Sequence, residues 1–173
     1  MIKSKIKLTT MKRYTVFSVL FLLTAMISNA QDIELAKKAI DAEQYEKAKA
    51  ILKTIVQSKP GNGKATFFLG NVYLKQSIED SAKIYFQKGL TASDNPRWNN
   101  IGLGQIDLNN GNAAAAQANF DLVTKDLKKK DIEEYFYIAK AYMNADKPDF
   151  KTALTYLNKA KAINPTDANI QLG

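Results

Sequence analysis

Two carboxylate pairs, Glu79/Asp80 and Glu133/Glu134, and one short Gly-Lys stretch, "GNGK" at 61–64, are the groups whose types could do chemistry. Neighbouring carboxylates can divide acid and base duties when their surroundings push their proton affinities apart. Here each pair stands at the expected start of a helix, where acids are stabilising with no chemistry attached. A phosphate loop needs G-x-x-x-x-G-K-[ST] between a strand and a helix. Gly61 to Lys64 lacks that spacing and leads out of a helical pattern. The chain has no Cys and no His. Disulfides, thiolate nucleophiles, Cys/His zinc sites and His-based catalytic sets are excluded with them. The expectation is a protein that is not an enzyme, with no catalytic residue, no cofactor, no metal and no small-molecule substrate.

The elements that must position any other kind of site are helices. The chain has 173 residues, 46% hydrophobic and 24% charged, with only 8 Gly and 4 Pro. That composition is globular and rich in helix formers, and the length is enough for one domain with a sizeable core. The formal charge of +8 suggests nucleic acid only until it is divided. Lys3, Lys5, Lys7, Lys12 and Arg13 lie within residues 1–30, which hold no acid, and 20 basic residues then face 17 acidic ones. No basic stripe with interleaved aromatics remains, so no nucleic-acid partner is expected. The run "KDLKKKD" at 125–131 reads as basic side chains at a helix C-terminus, which suits the helix dipole.

Residues 1–30 have the layout of a secretory signal. Lys12 and Arg13 precede a mostly apolar run from Tyr14 to Ile27, and Ser28-Asn29-Ala30 puts small residues before a cut at Gln31. The run is short of the roughly 20 residues that a spanning helix needs. Met11 could serve as the start. The expectation is an exported protein, periplasmic or secreted, not membrane-spanning after cleavage; an uncleaved anchor is the alternative.

From residue 31 one pattern recurs. "LAKKAI", "LGNVYL", "LGQIDL" and "IAKAYM" align small residues Ala36, Gly70, Gly104 and Ala139 at spacings of 34, 34 and 35. A second set aligns Ala48, Ala82, Ala116 and Ala153 at 34, 34 and 37. Apolar residues return at three- and four-residue steps, so each unit is two helices. Small residues mark where the two helices cross closely, with Tyr73, Phe86, Phe120, Tyr142 and Leu157 filling the space around them. The punctuation fits: Ser77 with Asp80 and Asp131 with Glu134 read as helix starts, Asn110-Gly111-Asn112 as a turn, Asn95-Pro96 as a helix opening. Pro60 closes the first unit.

This pattern resembles the tetratricopeptide repeat, with its L-G-x2-Y, A-x3-F and Pro over 34 residues. Leu69-Gly70-x2-Tyr73 with Ala82-x3-Phe86 matches best. The third unit has Asp107 in the Tyr place, the fourth has a longer turn, "NADKPD", and the first has Ala39 in place of Tyr. The resemblance covers 31–173, with units at about 31–62, 63–95, 96–130 and 131–166 and the start of a fifth at 167–173. It implies an all-α, right-handed solenoid of helical hairpins whose first helices line a concave face that grips a peptide or partner helix. Some relatives hold an acidic chaperone C-terminus through a Lys-Asn-Asn-Lys-Arg type of clamp. That clamp is not reproduced, because Ile33, Gly102 and Glu133 stand near the places of its partners.

On that geometry three ladders face inward. Lys37, Asn71, Gln105 and Lys140 form a polar row. Ile40, Leu74, Leu108 and Met143 follow three residues on, and Ile33, Phe67, Ile101 and Phe136 lie four residues before. A polar row between apolar rows makes a candidate peptide groove, with amides for the peptide backbone and apolar rows for its side chains. The alternative is that the apolar rows only fill the interior. Trp98 either fills the joint between repeats or anchors a ligand; the area it would bury favours the joint. The expected function is a protein-interaction scaffold for a protein or peptide partner, the alternative a structural or oligomerisation part of a cell-envelope assembly. "NPTDANIQLG" reads as the opening of a fifth unit in a longer protein, which would leave Tyr156, Leu157, Ala160 and Ile163 as an exposed apolar side.

Overall fold

The computed structural model describes residues 31–91, 94–125, 127–128 and 131–163. The signal-like segment and the start of the fifth unit lie outside the described residues. The described chain is helical: α1 (31–41), α2 (Tyr45–Ser58), α3 (Gly63–Lys75), α4 (Glu79–Leu90), α5 (Arg97–Asn109), α6 (Ala113–Thr124), α7 (Ile132–Met143) and α8 (Phe150–Ile163). Among the described residues none of these helices is long and apolar enough to cross a membrane.

Two compact units divide the chain, 1–51 and 52–173, with the boundary inside α2. In the first, Ile33, Ala36, Ala39 and Ile40 form a buried apolar stripe on α1, and Ala48 of α2 is buried as well. In the second, α3 pairs with α4, α5 with α6 and α7 with α8. These hairpins stack through α4 on α5 and through the row of first helices α3, α5 and α7. The second unit is an all-α stack of three helical hairpins.

The small residues do what their spacing requires. Ala48, Ala82, Ala116 and Ala153 are all buried. A Cβ on Gly70 or on Gly102 would run into the ring of Phe86, and one on Gly104 into Phe120. Phe86 and Phe120 are fully buried. Phe86 thus sits against its own hairpin partner and against the next first helix at once.

The turns carry a second period. Glu43, Ser77 and Gly111 stand 34 residues apart, and all three have positive φ, at 56°, 59° and 76°. The hairpin turn needs one left-handed residue there, and only the third unit supplies the Gly that adopts it without strain. Ser77 is therefore a turn residue and not the helix cap that the sequence suggests; α4 starts two residues later behind Ile78, which makes no side-chain cap bond. Asn62, by contrast, does cap, its Oδ1 accepting the Ala65 amide at 2.9 Å. The Gly63 amide donates to Asp94 Oδ1, tying the loop before α5 to the start of α3. In the longer fourth turn Asp149 accepts from the Thr152 amide at 3.0 Å and its hydroxyl at 2.6 Å. Those bonds hold the Asp149 carboxyl below its usual range.

The last hairpin corrects one expectation. Tyr156, Leu157 and Ala160 are buried, because they form with Ala153 the stripe on which α8 lies against α7. Tyr156 stacks on Tyr142 at 5.9 Å, and Gln117 bridges their hydroxyls, accepting from Tyr142 and donating to Tyr156. Burial pushes the Tyr142 phenol up to about 12. The exposed apolar side chains of α8 are Phe150 and Leu154 instead.

Candidate functional site

The three first helices of the second unit carry two different surfaces. At their C-terminal ends lies a cleft of about 440 Å³, lined by Asn71, Leu74, Lys75, Ser77, Glu79, Gln105, Asn109, Asn144 and Asp146. Asn71 and Gln105 are half-buried, and among the described residues their carboxamides make no hydrogen bond. The buried Asn109 Oδ1 likewise has no donor among the described residues. A carboxamide offers one acceptor and two N–H donors, which is what a peptide backbone needs in return. Glu79 is engaged with Asn110, whose Nδ2 donates to it at 2.9 Å.

At the N-terminal ends the same helices are closed. Trp98 is 2% exposed and lies 5.3 Å from the rings of both Phe67 and Tyr137. Lys64 Nζ stands 4.6 Å above the Trp98 ring and 2.6 Å from Glu133 Oε2. Arg97 reaches Asp131 at 3.4 Å and Glu134 at 3.5 Å. Glu134 is buried, and that burial pushes its carboxyl up, with Arg97 acting in the opposite sense. The capping box expected from Asp131 and Glu134 does not form: the Asp131 side chain accepts from Arg97 and from the Lys128 amide rather than capping α7. Trp98 fills a joint between helices.

The predicted rows therefore separate. Asn71, Leu74 and Gln105 come together in the cleft. Phe67 and Ile101, 3% and 1% exposed, are interior residues and cannot touch a partner in this arrangement. Phe136 is half-buried under Lys140, whose Nζ is 5.3 Å from its ring centre. Leu108 is half-buried and Met143 exposed, and neither lines the cleft. In the first unit Ile40 is buried and Lys37 is 3.1 Å from Glu34. Sequence reasoning missed Lys75, Asn109 and Asn144. They stand four residues after Asn71, Gln105 and Lys140, and form a second polar row. The signal was present, because i+3 and i+4 lie side by side on a helix and only the i+3 row was read.

Among the described residues no cluster of acids could hold a metal ion. No family model and no curated protein matches the chain. Among solved structures it is similar to YrrB, described as a TPR protein with an unusual peptide-binding site. The two are 21% identical with a TM-score of 0.44, covering 79% of this chain and 69% of that one.

Proposed function

We propose that the chain is a non-catalytic interaction module that holds an extended peptide of a partner protein in the carboxamide cleft of α3, α5 and α7. The observation that carries this reading is the pair Asn71 and Gln105, half-buried in an open cleft with amides that no described residue uses. Polar groups partly withdrawn from water cost free energy unless something bonds them, and a peptide backbone supplies both donors and acceptors. The side chain of Leu74 adds an apolar contact beside them. The module works outside the cytoplasm, on the strength of the signal layout in residues 1–30, with cleavage before Gln31. Mass analysis of the protein from its native envelope tests that step, and a chain still beginning at Met1 or Met11 removes it.

For the cleft, Asn71→Ala together with Gln105→Ala is expected to weaken capture of the envelope partner by about 1 kcal/mol per lost bond. Circular dichroism should stay unchanged. Undiminished capture by the double variant favours the assembly reading. That reading draws on Ile84, Leu122, Phe150 and Leu154, apolar side chains 56–67% exposed on the second helices or at their starts.

A further inference from the structure

Side chains of α3 and α7 meet although α5 lies between the two helices. Phe67 and Phe68 of α3 each stand 5.4 Å from Tyr137 of α7, ring centre to ring centre and edge-on. Trp98 of α5 lies in contact with all three rings. Beside this bridge Lys64 of α3 and Glu133 of α7 make their 2.6 Å ion pair. Hairpins in a solenoid ordinarily touch only their neighbours. Here the second hairpin reaches the fourth, and the contact covers the apolar row to which Phe67 and Ile101 belong.

We propose that Lys64 and Glu133 form a latch that holds α3 against α7 and keeps this aromatic row closed. An exposed ion pair alone is worth little. This one is partly shielded, with the two side chains 27% and 34% exposed, and its ammonium also sits over the Trp98 ring. The rings supply adhesion, and the charges fix which side chains meet. Opening the latch parts the N-terminal ends of α3 and α7 and adds Phe67, Trp98 and Tyr137 to the carboxamide cleft as an apolar extension. A partner's use of that extension rests on the peptide-binding reading above; the latch itself does not.

Trp98 is the single tryptophan and reports closure directly. In the full chain, Lys64→Glu sets like charges together, and acrylamide quenching of Trp98 should rise by about twofold or more, the scale of coupling between contacting charges. The swap Lys64→Glu with Glu133→Lys should bring quenching back toward the wild-type value, with helicity equal in all three proteins. A single variant that quenches like wild type, or a swap that quenches no less than the single variant, overturns the latch. If Lys64→Glu does not fold, Glu133→Gln decides, since it removes one charge of the pair at nearly constant shape. Quenching of Trp98 should rise in that variant, and a wild-type value overturns the proposal. None of these readings involves a partner, so failure of the cleft variants leaves them standing.

Discussion

The two ends of α3, α5 and α7 are built from the same three helices in the same register, yet one end is shut and the other open. At the N-terminal end the rows carry Phe67, Phe68, Trp98 and Tyr137, rings long enough to reach across α5 and bury one another. At the C-terminal end the rows carry Asn71, Gln105, Asn109 and Asn144. These are short, and water competes for their amides, so closing over them would strand polar groups. Backbone geometry sets where the rows run. Side-chain reach and polarity decide whether a row becomes interior or cleft.

The sharpest way to break this contrast is to truncate side chains at each end. Trp98→Ala should destabilise by about 3–5 kcal/mol, as loss of a large buried ring does. The double variant Asn71→Ala with Gln105→Ala should stay within about 0.5 kcal/mol of wild type in the same urea titration. Equal losses would mean that the two ends do not differ in the way described. Next in size is Ala82→Leu, at the hairpin crossing away from both ends, which should cost roughly 1–3 kcal/mol through overpacking. A melting temperature that holds steady there would show that the crossing is looser than the buried Ala82 implies.

Acid–base behaviour sharpens the contrast further, since the closed end holds the buried Glu134. Burial raises its carboxyl above the unfolded value, so the stability it contributes is full below the unfolded pKa and is lost as pH rises through the raised one. Wild type should therefore lose stability relative to Glu134→Gln as pH rises from the ordinary glutamate range. Parallel melting curves across that window would contradict the direction. The smallest effect is expected at the open end. Ser77→Gly relieves a left-handed serine and should gain about 0.5–1 kcal/mol by urea unfolding, with no such gain at Gly111, which already has the suited residue.

Much of this was legible in the residues. The 34-residue spacing of Gly70 and Gly104 and of Ala82 and Ala116 located the crossings inside the second and third hairpins, because a close backbone approach admits only Gly or, where there is room for a single methyl, Ala. The approach of Gly102 to Phe86 was not legible in that spacing. The left-handed turn period was legible only at Gly111, since Glu43 and Ser77 adopt that conformation without being the residues that favour it. Caps were read less well. Asp131 and Glu134 have the spacing of a capping box, but Arg97, 34 residues before Asp131, draws both carboxylates away.

By itself the sequence determined the helices, their pairing and the crossing points, because helical period and side-chain size are local properties repeated four times. It also determined which positions share a face. What lies on that face was decided by tertiary structure. Phe67 and Asn71 are neighbours on one stripe of α3, yet Phe67 is interior and Asn71 lines a cleft. The difference arises from Tyr137 and Glu133, about seventy residues along the chain, which arrive over one end of α3 and leave the other uncovered. No window of the sequence contains both partners of that contact, and only the stacking of three hairpins brings them together.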